Sequence, residues 1–507
     1  MLERNGRTPF MQPENKQRTY AQVLKYMGVF GSVQGLNLVM GLVRNKLIAV
    51  LLGPSGMGLA SLFNTSVAFL SKTTGLGLSF SAVRNISEAY EQQDEAALLR
   101  HIQIIRTWSI LTSLFGMLIC VSLGPLLSDL TFSWGNHTWH FILLAPAIGL
   151  LAITGGETAI LKGTRRLRAL ATIQIVSILA SVLVSIPIYY FFEQAGIVPV
   201  IVLMAFATMA ATIFYSYRFY PLRLGGAWGL LHEGMSMVQL GIGFTAAGII
   251  ASGSEMWIRS YLNVTEDLDG VGLYNAGFML TITYAGMVFS ALDSDYFPRL
   301  SACAKNTVKL SQVVNQQIEI CLLIIAPMIA GLILLLPTLI PILFTDKFLP
   351  IVPMAQIAIF SMFFKSLSLP TAYITLSKGD SKAFLTIETL YALTFVGLFV
   401  VFHKHYGLIG TGIALTLSYV GEWIFATSFA YWRYGYRSSV ALLKYASLLI
   451  LCPVGVYITS QTTTGLSYWI LGAAFVLGSV FISLRILSQK TEFMSMLRSK
   501  LKGKKGE

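Results

Sequence analysis

Charge is scarce in this chain. Of its 507 residues only 12% are charged, while 55% are hydrophobic. That balance leaves too little polar surface for a water-soluble fold and places the core among lipid-facing helices. The four cysteines, Cys120, Cys303, Cys321 and Cys452, lack CxxC spacing, which supports neither a disulfide framework nor a zinc site. Histidines are few. The pairs His137/His140 and His403/His405 lie near expected outer helix ends without further ligands, so no metal is assigned. No acid–base constellation or sizeable outer loop is present, which argues against an enzyme such as a glycan polymerase or ligase. No small-residue cleavage site follows the polar opening MLERNGRTPFMQPENKQRTYAQVLK, so no cleavable signal peptide is expected.

Hydrophobic runs fill the rest. A bilayer core of roughly 30 Å takes about 20 apolar residues per helical span. The sequence predicts an all-α polytopic membrane protein of fourteen spans, at 26–52, 56–82, 105–127, 141–162, 169–192, 196–217, 236–262, 271–296, 318–344, 350–376, 383–402, 406–431, 441–459 and 465–487. Lys- and Arg-rich loops stay in the cytoplasm. With both termini inside, 29 of the 36 Lys and Arg fall on the cytoplasmic side, only Lys347 and Lys404 fall outside, and five lie within spans. The net charge of +13 is thus a topology signal, and nucleic acid need not be invoked.

Self-similarity organises the spans. Arg44 precedes GMGL at 56–59 and Arg84, and Arg259 precedes GVGL at 270–273 and Arg299. KGTRRLRALATIQ begins at Lys162 and KGDSKAFLTIE at Lys378. The nearly constant offset spans six helices and so preserves orientation, predicting two parallel six-helix lobes around a central cavity. The expected divisions are a cytoplasmic tail at 1–25, a first lobe at 26–217, a cytoplasmic linker at 218–235, a second lobe at 236–431, two further spans at 432–488 and a basic tail at 489–507. Phe493, Met496, Leu497 and Leu501 interleave with cations in that tail, as in a segment lying on an anionic leaflet.

The stretches LIAVLLGPSGMGLASLFNTSVAFLSKTTGLGLSFSAVRNISE and GVGLYNAGFMLTITYAGMVFSALDSDYFPRLSA resemble the multidrug/oligosaccharidyl-lipid/polysaccharide exporter superfamily. Within it the chain is most similar to Wzx-type O-antigen and polysaccharide flippases, with similarity to lipid II flippases. The resemblance covers spans 1–12. It implies that an oligosaccharide joined through pyrophosphate to a polyprenol lipid is moved, by alternating access, from the cytoplasmic to the outer leaflet of a bacterial inner membrane. It implies membrane lipids and other polysaccharide-assembly proteins as partners and no cofactor, with H+ or Na+ coupling left open. A multidrug/cation antiporter of the same superfamily is the alternative; it would prefer an acidic, aromatic cavity.

Candidate residues follow from charge inside spans. Gln34, Asn37, Gly41 and Arg44 share one helical face, and a polar stripe in a membrane must face protein or water. Arg44 either holds a phosphate or snorkels to the interface; the resemblance favours the cavity. Lys46 points to a different side. Glu255 and Arg259, one turn apart, either neutralise each other or form a switch that a substrate anion opens. Lys72 and Lys365 have no acidic partner within a turn, and an unpaired membrane charge costs about 3 kcal/mol on insertion scales. Each either lines the cavity or pairs with Glu157, Asp293 or Glu388 on another helix. The substrate-binding cations expected are therefore Arg44, Lys46, Lys72, Arg259 and Lys365. Asp293 and Asp295 either bind a coupling ion or pair with Arg299. Glu157, Glu255, Glu388 and Glu422 are further coupling or gating candidates, and nothing in the sequence ranks them.

Overall fold

The computed structural model describes residues 13–132, 134–222 and 230–490; side chains at 13–38, 223–231, 233, 236, 239–240, 242–244, 290–295, 298 and 489–490 are outside that description. The regular secondary structure of the described residues is all helix, with no strand among them. The first lobe comprises α1 (Pro13–Thr74), α2 (Leu78–Glu91), α3 (Glu95–Ser122), α4 (Gly124–Thr131), α5 (Thr138–Gly163), α6 (Leu167–Phe192) and α7 (Ile197–Phe219). The second begins with α8 (Leu230–Thr265) and α9 (Leu268–Phe278). A π-helical stretch, Met279–Tyr284, joins α9 to α10 (Ala285–Ala302). Then come α11 (Thr307–Leu343), α12 (Val352–Ala358), α13 (Phe360–Ser377) and α14 (Ser381–Tyr434), followed by α15 (Val440–Thr462) and α16 (Gly465–Lys490). The last two helices pack on α11, where the Tyr468 hydroxyl donates to the Leu334 carbonyl at 2.6 Å.

Among the described residues nine helices are long and apolar enough to cross a bilayer, ten if the bent pair at 346–377 is one span. Several are too long to be single crossings. The 54 residues of α14 would extend about 80 Å at 1.5 Å per residue, far beyond a hydrocarbon core of about 30 Å. The chain instead turns at Gly407, whose φ of 55° lies in the left-handed region that glycine adopts without steric cost. Gly53 breaks α1 in the same way with φ 67°. A short 3₁₀ turn, Glu193–Gly196, separates α6 from α7.

The two repeated glycine motifs meet. Gly58 lies in the second half of α1 and Gly272 in α9. A Cβ on Gly58 would come within 2.1 Å of the Leu268 carbonyl oxygen, and one on Gly272 within 1.9 Å of that of Pro54. Side-chain-free surfaces let the backbones approach this closely, and they tie the first lobe to the second. Close by, Lys46 donates from Nζ to the carbonyl oxygens of Pro341, at 2.8 Å, and Phe344. The last carbonyls of a helix have no intrahelical donor, so Lys46 caps the end of α11 from the opposite lobe.

Candidate functional site

A cavity of about 500 Å³ opens between α1, α5, α6 and α7, with α8 and α9 closing one side. The repeat-related Arg44 and Arg259 both line it, together with Asn45, Ser61, Asn64 and Asn275. No carboxylate is among its described lining residues. Arg44 is exposed on α1 and forms no ion pair among the described residues. Arg259 is 4% exposed and held from several directions. Its Nε donates to Ser61 Oγ at 2.8 Å, Nη2 to Asn275 Oδ1 at 3.3 Å, and Nη1 to the Glu255 backbone oxygen at 3.2 Å. The Glu255 carboxylate stands 3.5 Å from Nη1, while its side chain remains 43% exposed. The guanidinium also lies 5.2 Å from the Phe278 ring centre. Three of these contacts involve neutral groups that an incoming anion can displace, and the Glu255 carboxylate is the charged partner with which it would compete.

Beside the cavity, Asn45 is 4% exposed and its Nδ2 donates to the Tyr284 hydroxyl in the π-helical stretch. Such stretches concentrate at functional sites. This contact joins α1 of the first lobe to the second. Sequence reasoning passed over Asn45, although eleven residues on from Gln34 it lies within about 20° of that residue around the helix.

The other expected residues are distributed elsewhere. Lys46 points away from the cavity into the α11 cap. Lys72 is exposed in the last turn of α1, two turns past the cavity residue Thr65, with no ion pair among the described residues. Lys365 sits inside the second lobe, its Nζ 5.5 Å from the Phe289 ring centre and 5.6 Å from that of Tyr419. Glu388 and Glu422 of α14, with Tyr419, act on it electrostatically. Thus two of the five cations expected in the cavity line it, and Lys365 instead centres a separate cluster with two carboxylates. The Gln34, Asn37, Asp293 and Asp295 side chains lie outside the described residues.

Glu157, expected as a coupling candidate, is 2% exposed and fully engaged. Arg106 Nε meets its Oε1 at 2.7 Å and Nη2 its Oε2 at 3.2 Å, and Ser216 Oγ donates to Oε2 at 2.5 Å. Arg106 also donates to the backbone oxygens of Tyr220 and Pro221, at 2.8 and 3.1 Å. This bidentate clamp fastens α3, α5 and the end of α7 and takes up three of the acceptor positions of Glu157. The charge count could not reveal it, because Arg106 reads as a loop cation at the start of a span. His137 and His140 have ring centres 5.1 Å apart, and His403 stacks on Phe399 with Nε2 3.1 Å from the Glu266 carboxylate. No cluster of three metal-binding side chains occurs among the described residues.

The family model described as polysaccharide biosynthesis protein matches residues 47–353. No curated protein sequence matches this one significantly. Among solved structures, the chain is similar to an inward-facing multidrug resistance MATE family transporter of the MOP superfamily, with a TM-score of 0.65 at 16% identity over 80% of this chain and 95% of that one. It is similar to the lipid II flippase MurJ in an inward closed conformation, with a TM-score of 0.60 at 16% identity over 91% of this chain and 99% of that one. It is also similar to a MOP superfamily transporter from Pyrococcus furiosus described as having a binding pocket of reverse polarity, with a TM-score of 0.56 at 13% identity over 79% and 93%. At such identities the structural likeness is one of fold. The family match, by contrast, spans more than half the chain. The family match establishes that the chain belongs to the polysaccharide biosynthesis protein family.

Proposed function

We propose that this protein is a flippase that carries a polyprenyl-pyrophosphate-linked oligosaccharide from the cytoplasmic to the outer leaflet of a bacterial inner membrane, by alternating access of its two lobes. One observation carries the reading: a polar cavity whose described lining residues include two repeat-related arginines and no carboxylate. Planar guanidinium groups bind phosphate oxygens in a bidentate manner, and hydroxyl and amide side chains around them suit a sugar. A cation antiporter requires the opposite polarity.

Because phosphate accepts hydrogen bonds more strongly than a neutral hydroxyl or amide, the headgroup draws Arg259 from Ser61 and Asn275. Those bonds link α8 to α1 and α9, so substrate binding loosens the joint between lobes. Outward movement of a doubly charged pyrophosphate through 100 mV, inside negative, contributes about 4–5 kcal/mol if the full field is crossed. The Lys365, Glu388 and Glu422 cluster is the place we assign to a coupling proton or sodium ion. Proteoliposomes loaded with a defined lipid-linked oligosaccharide test the reading. Wild type should translocate it, Arg44→Ala should slow it, and a cationic dye should not compete; transport of the dye alone would overturn the assignment.

A further inference from the structure

A lipid-linked substrate must keep its chain in hydrocarbon while its headgroup occupies a polar cavity. This inference rests on the substrate class proposed above. Where α1 meets α8, a second hollow of about 330 Å³ lies beside the first. Its walls are Phe69 of α1, Leu130 of α4, and Trp257, Ser260, Tyr261 and Val264 of α8. Trp257, Tyr261 and Val264 recur at helical spacing and form one stripe. The Trp257 and Tyr261 rings stack, with centres 5.4 Å apart, and Trp257 is 44% exposed. At the inner end Gly253 gives Phe69 room, for a Cβ there would lie 3.2 Å from Phe69 Cε2.

Cavity and groove share a wall. Ser61 and Thr65 line the cavity, and Phe69 lines the groove on the same helix. Arg259 faces the cavity, while its neighbour Ser260 faces the groove. The seam between them is closed by the Arg259–Ser61 hydrogen bond and the contact of Phe69 with Gly253. Ser260 is 7% exposed, yet its hydroxyl has no hydrogen-bond partner among the described residues. A buried, unmet hydroxyl is costly, and a purely hydrocarbon occupant cannot satisfy it. A chain that ends in phosphate can.

We propose that this groove binds the isoprenoid chain of the substrate, with its pyrophosphate on the cavity side of the α1–α8 seam and Ser260 donating to a phosphate oxygen at the junction. Capture of Arg259 by the pyrophosphate unfastens Ser61 and opens the seam through which the chain and headgroup remain joined. The aromatic stripe packs against the branched, unsaturated isoprene units.

The experiment uses the full-length protein in phosphatidylethanolamine/phosphatidylglycerol vesicles with a long-chain polyprenyl pyrophosphate carrying a photoreactive group in its chain. Labelling is expected in the peptides holding Phe69 and Trp257. Unlabelled polyprenyl pyrophosphate should displace it, and a photoreactive phosphatidylethanolamine should not reproduce it. Trp257→Ala, at a half-exposed site that tolerates truncation, should lower labelling about tenfold, and Ser260→Ala should reduce it for the pyrophosphate but not for the corresponding polyprenol. Equal labelling by the phospholipid, or labelling that maps outside the groove, overturns the proposal. Selective groove labelling without oligosaccharide transport leaves the chain site standing and overturns the transport reading, whereas transport without selective labelling does the reverse.

Discussion

Gly58 and Gly272, equivalent positions in the two repeats, face one another so closely that a Cβ on either would lie about 2 Å from a carbonyl oxygen of the opposite helix. The contact exists only while these ends of the lobes are together. A side chain at either position penalises that arrangement and spares the one in which the ends part. Overpacking costs about 1–3 kcal/mol, a shift of about 5- to 150-fold in a two-state ratio. Gly58→Ala should therefore raise labelling of a cysteine placed in the cavity by an impermeant outer reagent, with normal protein abundance. Unchanged accessibility would assign the contact to helix packing alone.

Lys46→Met keeps the length of the side chain but leaves the Pro341 and Phe344 carbonyls without their donor. Because that bond also crosses between lobes, the variant should raise outer accessibility as Gly58→Ala does. The expected cost is at least about 1.5–3 kcal/mol, the contribution of one hydrogen bond from a charged group. Headgroup affinity should be unaffected, which separates Lys46 from Arg44 in a binding titration.

Arg44→Ala and Arg259→Gln should each weaken binding of a soluble pyrophosphate-linked sugar analogue. A hydrogen bond to a charged group contributes about 1.5–3 kcal/mol, or roughly 10- to 150-fold in Kd. Arg259→Gln should additionally lower stability, since its guanidinium is buried and bonded to Ser61 and Asn275. Isothermal titration and thermal unfolding in detergent distinguish the two effects.

Glu157→Ala should be severely destabilising. It strands a buried Arg106, and removing one partner of a buried pair costs about 3–5 kcal/mol. Replacing both members by apolar residues, Arg106→Met with Glu157→Leu, should recover much of that loss. Recovery of folding together with transport would establish that the clamp is structural; recovery of folding alone would return Glu157 to the coupling candidates.

At the start of α14, Asp380 caps the helix by accepting from the Ala383 backbone N–H and the Tyr434 hydroxyl. The backbone bond first, and the tyrosine second, hold its carboxyl below the ordinary aspartate range. A depressed folded-state value means that the contribution is complete above the unfolded value of about 4 and fades as pH falls through the folded one. Asp380→Asn should flatten that acidic limb of a stability–pH profile. An unchanged limb would exclude Asp380 as its source.

The candidate site was partly legible in one dimension. The repeat paired Arg44 with Arg259, and the structure sets both in one cavity. Depth and facing were harder to read. Lys46 differs from Arg44 by two positions, about 200° around a helix, enough to turn it toward α11. Lys365 found Glu388 and Glu422 on a helix whose approach no local spacing encodes. Arg106 and Glu157 are 51 residues apart, and nothing in either segment alone identifies the other.

What the sequence determined by itself was the solvent, the helical class and the repeat. Hydropathy and charge act additively along the chain when the bilayer is the surrounding medium. The tertiary structure decided which cations face the cavity, which cap a helix or sit in a closed clamp, and where the aromatic stripe of α8 opens beside Arg259. The physical reason is that partnership depends on how helices pack, and close packing at Gly58 and Gly272 is a relation between distant segments.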